Sequence, residues 1–209
     1  MPYNPRVHRR RSIRLPGCDY TQARAYFVTV CTAQKQCLLG EVVNEDVVLS
    51  DFGHIVHEEW QNTAILRPYV GLDAFVVMPN HVHGIIIIHD TNTVGAQRAA
   101  PLHTAPQHVN ERNIGNAAPL HTATRREASR GTTSGNVAPG SLGAIVRSFK
   151  STVTKRVNEA RQTAGEPFWQ RNIYERVIRH EEEYNRIRAY ILDNPTKWIE
   201  DSENPNRLL

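Results

Sequence analysis

The strongest constraint on the fold is the apolar segment at residues 74–88, which carries two histidines, His81 and His83, one residue apart. Side chains at positions i and i+2 of a β-strand point to the same face, about 6.6 Å apart along the strand. Both imidazoles therefore aim at one point. An apolar strand gains nothing from two polar rings unless a partner satisfies them, and two neutral ring nitrogens form half of a divalent-metal site. A purely structural histidine pair is the alternative.

Composition limits the class of protein. The chain has 209 residues, enough for one domain with a substantial core, and 40% of them are apolar. Three cysteines without C-x-x-C spacing favour a reducing compartment. The charged N-terminus lacks the apolar core of a secretory leader, and the longest aliphatic run is too short to span a bilayer. We therefore expect a soluble, cytoplasmic protein without a membrane partner.

The net charge of +4 is unevenly distributed along the chain. Residues 1–22 form a predicted basic arm, with five arginines and no acidic residue among its first 18 positions. Such a cluster is typical of contacts with a polyanion, most often nucleic acid, although a solvated terminus has the same composition. The candidate DNA contacts in the arm are Arg9, Arg10, Arg11 and Arg14.

Apolar periodicity and turn residues predict the element order β-α-β-β-α-β-α. Residues 91–140 stand apart from this order, because they contain no aromatic residue, repeat the sequence AAPLHT and are predicted to be a flexible, low-complexity insertion. The order predicts a ferredoxin-like α+β fold in which helices cover an antiparallel sheet. The predicted strands are 26–32, 72–78, the histidine strand after Pro79-Asn80 and 168–178, and the predicted helices are 50–64, one that begins at Ser141 and ends before Gly165, and 180–194.

The last predicted helix offers candidates that complete the metal site. Tyr190 lies at the edge of its apolar stripe, and Asn194 projects from the same side one turn later. A tyrosine beside a metal can attack a backbone phosphate and hold the product as a covalent phosphotyrosine. Two imidazoles and an amide oxygen suit Mn²⁺ or Mg²⁺, although imidazole also binds Zn²⁺. A tyrosine that only packs and an asparagine that only ends the helix are the structural alternatives.

Four segments of the chain resemble the REP-associated tyrosine transposases, a group within the single-tyrosine HUH transposases. The segments are residues 26–40 (YFVTVCTAQKQCLLG), 76–85 (VVMPNHVHGI), 168–179 (FWQRNIYERVIR) and 190–198 (YILDNPTKW). The resemblance implies a divalent-metal-dependent endonuclease and strand transferase that acts on single-stranded DNA with hairpins. It implies that His81 and His83 bind the metal, that Tyr190 is the nucleophile and that Asn194 is a third ligand.

The resemblance also implies that the N-terminal arm recognises a short sequence beside the hairpin. Further candidate DNA contacts are Arg147 and Lys150 on the helix that begins at Ser141, and Arg171. On that helix, a basic face that is only exposed to solvent and a basic face that binds DNA phosphates would have the same sequence pattern. The expected division is an arm at 1–22, an HUH single-strand nuclease domain at 23–198 interrupted by the insertion, and a C-terminal tail at 199–209.

Two other functions remain open from the sequence. One is a metallophosphodiesterase in which metal-bound water attacks the phosphate, so that no covalent adduct forms. The other is a protein that binds DNA hairpins without cleaving them, with a strong dependence on salt. A monomer and a homodimer are both compatible with the resemblance, and we expect association with the nucleoid when DNA is bound.

Overall fold

The computed structural model describes residues 23–90 and 138–205. The basic arm and most of the insertion lie outside these ranges, and with them Arg9, Arg10, Arg11 and Arg14. No helix within the described ranges combines the length and apolar character that a membrane span requires. The elements are β1 (Arg24–Cys31), β2 (Gly40–Val43), β3 (Asp46–Leu49), α1 (Asp51–Ile65), β4 (Val70–Met78), β5 (His81–Ile88), α2 (Leu142–Ala160), β6 (Tyr174–Ile178) and α3 (Glu181–Leu192), with 3₁₀ turns at Ala33–Lys35 and Trp198–Glu200.

Four strands form one antiparallel sheet in the order β4-β5-β1-β6, while β2 and β3 pair as a separate hairpin. Helices α1 and α2 pack on one face of the sheet, and α3 packs on the other. The histidine strand β5 is central, with His83 opposite Thr29 of β1 and Val76 of β4. The predicted α+β fold, an antiparallel sheet with helices packed on it, is confirmed.

The side chains of β5 alternate between the two faces of the sheet, so the histidines lie on the face opposite the larger core. Val82 and Ile86 enter the larger core under α1 and α2, whereas Ile85 and the two histidines face the α3 side. Gly84 allows this arrangement, because a Cβ at that position would lie 2.2 Å from the ring of Trp60. The indole packs directly on the strand backbone and supports the histidine strand from the opposite face.

The start and the docking of α3 follow from its sequence. The His180 side chain accepts a hydrogen bond from the backbone N–H of Glu183, and three glutamates occupy the first turn, where the helix dipole favours negative charge. The Tyr184 hydroxyl donates a 2.5 Å hydrogen bond to Asp73 of β4, and Ile191 is fully buried against the sheet. These contacts fix the orientation of the helix that carries Tyr190.

Three predicted boundaries differ in the structure. The predicted strand 168–178 is wrong in its first half: Trp169 forms one bridge to Thr32, and only Tyr174–Ile178 is a strand. The predicted helix 180–194 is too long, because α3 ends at Leu192 and Asn194 lies in the following turn. The hairpin of β2 and β3 occupies residues for which the sequence predicted neither a strand nor a helix.

Candidate active site

Strand β5 places His81 and His83 side by side, with ring centroids 4.4 Å apart. Both residues are almost completely buried, with 0% and 3% of their surface exposed. Burial lowers the pKa of each ring to about 3. Both imidazoles are therefore neutral at neutral pH, which is the state that a metal requires of a histidine ligand.

The amide of Asn80 determines which nitrogen of His81 carries the proton. Nδ2 of Asn80 donates to the backbone carbonyl oxygens of Glu203 (2.7 Å) and Lys35 (3.1 Å), so the amide oxygen is the atom that faces the ring. That oxygen lies 2.8 Å from Nδ1 of His81 and can only accept. Nδ1 therefore carries the proton and donates a hydrogen bond to Asn80, and Nε2 keeps a free lone pair.

His83 joins the sheet to the predicted nucleophile. Its Nδ1 lies 2.8 Å from the Thr29 hydroxyl on the neighbouring strand, and its Nε2 lies 3.2 Å from the Tyr190 hydroxyl on α3. Both histidines are thus held through Nδ1. The structure thus brings the hydroxyl of Tyr190, the predicted nucleophile, into contact with His83.

The cluster contains a carboxylate that the sequence did not predict as part of the site. Asp201 follows the 3₁₀ turn Trp198–Glu200, and its Oδ2 lies 3.8 Å from Nε2 of His81. One ligand atom from each of His81, His83 and Asp201 lies within 4.8 Å of the other two. The sequence held one weak signal, Trp198, because a tryptophan side chain buries a large apolar area, and its ring lies 6.1 Å from the ring of His81.

Three buried atoms at this site have no hydrogen-bond partner among the described residues. They are Nε2 of His81, Oδ1 of Asn194 and Oδ2 of Asp201. Buried polar atoms are normally paired, so these three unpaired atoms point to an absent partner. An imidazole nitrogen, a carboxylate oxygen and an amide oxygen all accept, and they fit a divalent cation such as Mn²⁺.

Asn80→Ala is expected to lower Mn²⁺ affinity by about 10- to 100-fold, because the ring of His81 loses the acceptor that fixes its tautomer. Isothermal titration calorimetry at neutral pH measures the change. Asn62→Ala on α1, on the opposite side of the sheet, is the matched control and should bind as the wild type does. A folded Asn80→Ala variant with unchanged affinity would contradict this role of Asn80.

An open cleft of about 410 Å³ lies beside His83 and Tyr190. Tyr190 is 44% exposed and Tyr174 on β6 is 43% exposed, and the ring of Phe27 makes edge-on contacts with both. The cleft thus offers aromatic surface next to a hydroxyl, an arrangement that accepts stacked bases of a single strand. The remaining lining residues are Thr29, Cys31, Lys35, Gln170, Asn172, Ile173, Ser202 and Glu203.

Burial and neighbouring side chains together set the acidity of Tyr190. Burial raises the pKa of its hydroxyl, and the negative charge of Asp201 raises it further. The side chain of Asn194 acts in the opposite direction and lowers this pKa through a hydrogen bond. Asn194 is almost completely buried just after α3, and its hydrogen bond brings the predicted third ligand next to the predicted nucleophile.

Two of the other predicted DNA contacts lie away from the histidines, and the third, Arg171, is flanked in sequence by the cleft residues Gln170 and Asn172. Arg147 and Lys150 are on α2, which covers the opposite face of the sheet, and Arg171 is exposed. Nζ of Lys150 donates to the carbonyl oxygens of Gln170 (2.6 Å) and Arg171 (3.3 Å), and burial lowers its pKa to about 8. Lys150 thereby ties α2 to the rim of the cleft.

The fold has a counterpart among solved structures. No family model matches the chain. The structure is similar to that of a REP-associated tyrosine transposase bound to a REP hairpin, with a TM-score of 0.51 and 17% identity, covering 88% of this chain and 74% of that one. The fold is therefore that of the REP-associated tyrosine transposases, in agreement with the resemblance of the four segments.

A closer relative in sequence is an uncharacterized protein of Haemophilus influenzae. The two proteins are 35% identical over 199 residues, which cover 95% of each chain. This chain belongs to the family of the Haemophilus influenzae protein.

Proposed function

We propose that this protein is a divalent-metal-dependent tyrosine transposase that nicks and joins single-stranded hairpin DNA through a covalent 5′-phosphotyrosine at Tyr190. One observation carries the proposal. The Tyr190 hydroxyl lies 3.2 Å from Nε2 of His83 at an open cleft. The same site contains three buried ligand atoms that have no hydrogen-bond partner among the described residues.

The residues that would hold the metal are His81, His83 and Asp201, with Asn194 as the amide ligand from the turn after α3. Two imidazoles with oxygen ligands suit Mn²⁺ and also accept Mg²⁺. When bound, the metal would act as a Lewis acid on the phosphate and orient it in the cleft.

The covalent step is a displacement at phosphorus. The Tyr190 oxygen forms a bond to the phosphorus atom, the bond between phosphorus and the 3′ oxygen breaks, and that oxygen takes up a proton. The phenol loses its own proton to water in the open cleft. A 3′ hydroxyl that attacks the phosphotyrosine reverses the step and joins a strand. Asn194 supports the attack, because its hydrogen bond opposes the rise in the pKa of Tyr190.

The DNA-binding surface would extend from the cleft to the N-terminal arm. The solved transposase of this fold is bound to a REP hairpin, and a hairpin with a single-stranded flank is the substrate that we propose here. The arm at 1–22 would contact the flank, while Arg171 at the rim of the cleft, with Arg147 and Lys150 on α2, would bind phosphates. Because His83 and Tyr190 of one chain are already in contact, a monomer suffices for this site, although a homodimer is compatible with it.

A denaturing gel tests the proposed function. The full chain is incubated with a labelled single-stranded hairpin oligonucleotide and Mn²⁺, with EDTA in a parallel sample. We expect an SDS-resistant protein–DNA band that depends on Mn²⁺. Cleavage without such a band would overturn the proposal in favour of a phosphodiesterase, and tight hairpin binding without cleavage would overturn it in favour of a binding protein.

Asp201→Asn is expected to weaken Mn²⁺ binding by at least about 10-fold, because a neutral amide replaces the anionic ligand atom nearest His81. Calorimetry measures the affinity. Asp193→Asn, at an exposed position whose carboxylate pairs with Lys197 within the described part of the chain, makes the same change of charge on the same segment and should have no effect. Equal affinities in the two variants would exclude Asp201 from the ligand set.

A further inference from the structure

A lysine of the cleft has no assigned role in the proposed reaction. Lys35 ends the 3₁₀ turn after β1 and lines the same cleft as His83 and Tyr190. Its side chain is 40% exposed, and its ammonium lies 3.2 Å from the Glu203 carboxylate and 3.3 Å from the carbonyl oxygen of Ser202.

The backbone at Lys35 is held in an unfavourable conformation by the site itself. Gln34 and Lys35 have φ angles of 55° and 56°, in the left-handed region that residues with a side chain seldom adopt. The N–H of Lys35 donates to Thr32, and its carbonyl accepts from Asn80, the residue that orients His81. Backbone strain of this kind persists where contacts with the surrounding structure hold the residue in place, and it is frequent at active sites.

The present partner of Lys35 is easily exchanged. Both side chains of the pair with Glu203 are partly exposed, at 40% and 26%, and ion pairs in contact with solvent contribute little to stability. Glu203 is itself held in place by its backbone, whose N–H donates to Asp201 and whose carbonyl accepts from Asn80. The lysine can therefore leave the carboxylate without disturbing the residues around the histidines.

We propose that Lys35 exchanges the Glu203 carboxylate for a phosphate of the bound strand at the scissile position, and so is a further catalytic residue of this site. This inference rests on the proposed function. An ammonium in the cleft would bind a non-bridging oxygen of the phosphate that Tyr190 attacks and stabilise the charge that develops there. Glu203 would compete with the phosphate for the lysine until DNA enters.

Two measurements test whether Lys35 contacts the scissile phosphate. The first is the single-turnover rate of adduct formation, which should fall about 10²-fold in Lys35→Gln and recover partly in Lys35→Arg, which keeps the charge. The second is hairpin binding in the Tyr190→Phe background at several salt concentrations. Loss of one phosphate contact should reduce the slope of log K against log [salt] by about 0.7.

Two partner variants separate a phosphate contact from a structural ion pair. Glu203→Gln breaks the ion pair but frees the lysine, so the adduct should form at least as fast as in the wild type. Lys155→Gln, on the exposed side of α2, changes the net charge equally and should leave the rate and the salt slope unchanged. If Glu203→Gln is slowed as much as Lys35→Gln, or if Lys35→Gln matches the wild type, the inference is wrong. If the wild type forms no adduct, the proposed function itself has failed.

Discussion

Tyr190→Phe is expected to abolish both nicking and covalent attachment of hairpin DNA, with a loss on the order of 10⁴-fold or more. The substitution removes the one oxygen that would bond to phosphorus and leaves the ring in place. Because the hydroxyl belongs to a half-exposed side chain at an open cleft, the free energy of unfolding should change by less than about 1 kcal/mol. Denaturing gels with labelled hairpin DNA and Mn²⁺ measure the activity.

Tyr174→Phe is the matched control for this substitution. Tyr174 lines the same cleft, is exposed to the same extent and also packs edge-on against Phe27, but its hydroxyl has no contact with the histidines among the described residues. The variant should retain the covalent band. Full adduct formation by Tyr190→Phe, or equal losses in the two variants, would contradict the assignment of Tyr190 as the nucleophile.

His81→Ala is expected to lower Mn²⁺ affinity by at least about 100-fold and to abolish the adduct, because it removes a ligand atom that is buried and has no described partner. Thermal unfolding with and without Mn²⁺ provides a readout that does not depend on DNA. The wild type should gain about 2.7 kcal/mol of stability when Mn²⁺ is present at 100 times its Kd, and the variant should gain almost none.

A second histidine variant and a control keep this test independent of misfolding. His83→Ala should lose the Mn²⁺-dependent gain in stability as well, whereas His54→Ala, exposed on α1 at the opposite face, should keep it. A folded His81→Ala protein that is still stabilised by Mn²⁺ to the wild-type extent would show that the metal binds elsewhere.

Much of the site was predictable from residues close together in sequence. The two-residue period of His81 and His83 places both rings on one face, and the apolar stripe of α3 orients Tyr190 at its edge. The meeting of these two elements follows from the antiparallel α+β fold, which the element order predicts. The contact between Tyr190 and His83 thus depends on local patterns and one topological rule.

The remaining parts depend on contacts that no local pattern encodes. Asp201 reaches His81 only because the chain turns back after α3, and a single aspartate in a polar tail carries no periodicity. The hairpin of β2 and β3 turns at Asn44 and Glu45, both with positive φ. Such a turn is usually signalled by Asn-Gly. Glutamate at the second position removes that signal.

The first half of the predicted strand 168–178 was wrong for a different reason. Phe168 and Trp169 have the aromatic character of strand residues, but their rings pack into the core under α2, and the backbone makes only one bridge to Thr32. Aromatic residues indicate burial more reliably than they indicate backbone pairing.

Mass spectrometry of a tryptic digest of the protein–DNA adduct tests the central claim most directly. Cleavage after arginine and lysine separates the tyrosines of this region, because Tyr190 falls in the peptide 189–197, Tyr184 in 180–186 and Tyr174 in 172–176. The account predicts that the peptide 189–197 carries the nucleotide through a 5′-phosphate on Tyr190 and that its yield depends on Mn²⁺. A nucleotide on any other peptide, or an adduct that forms equally in EDTA, would contradict it.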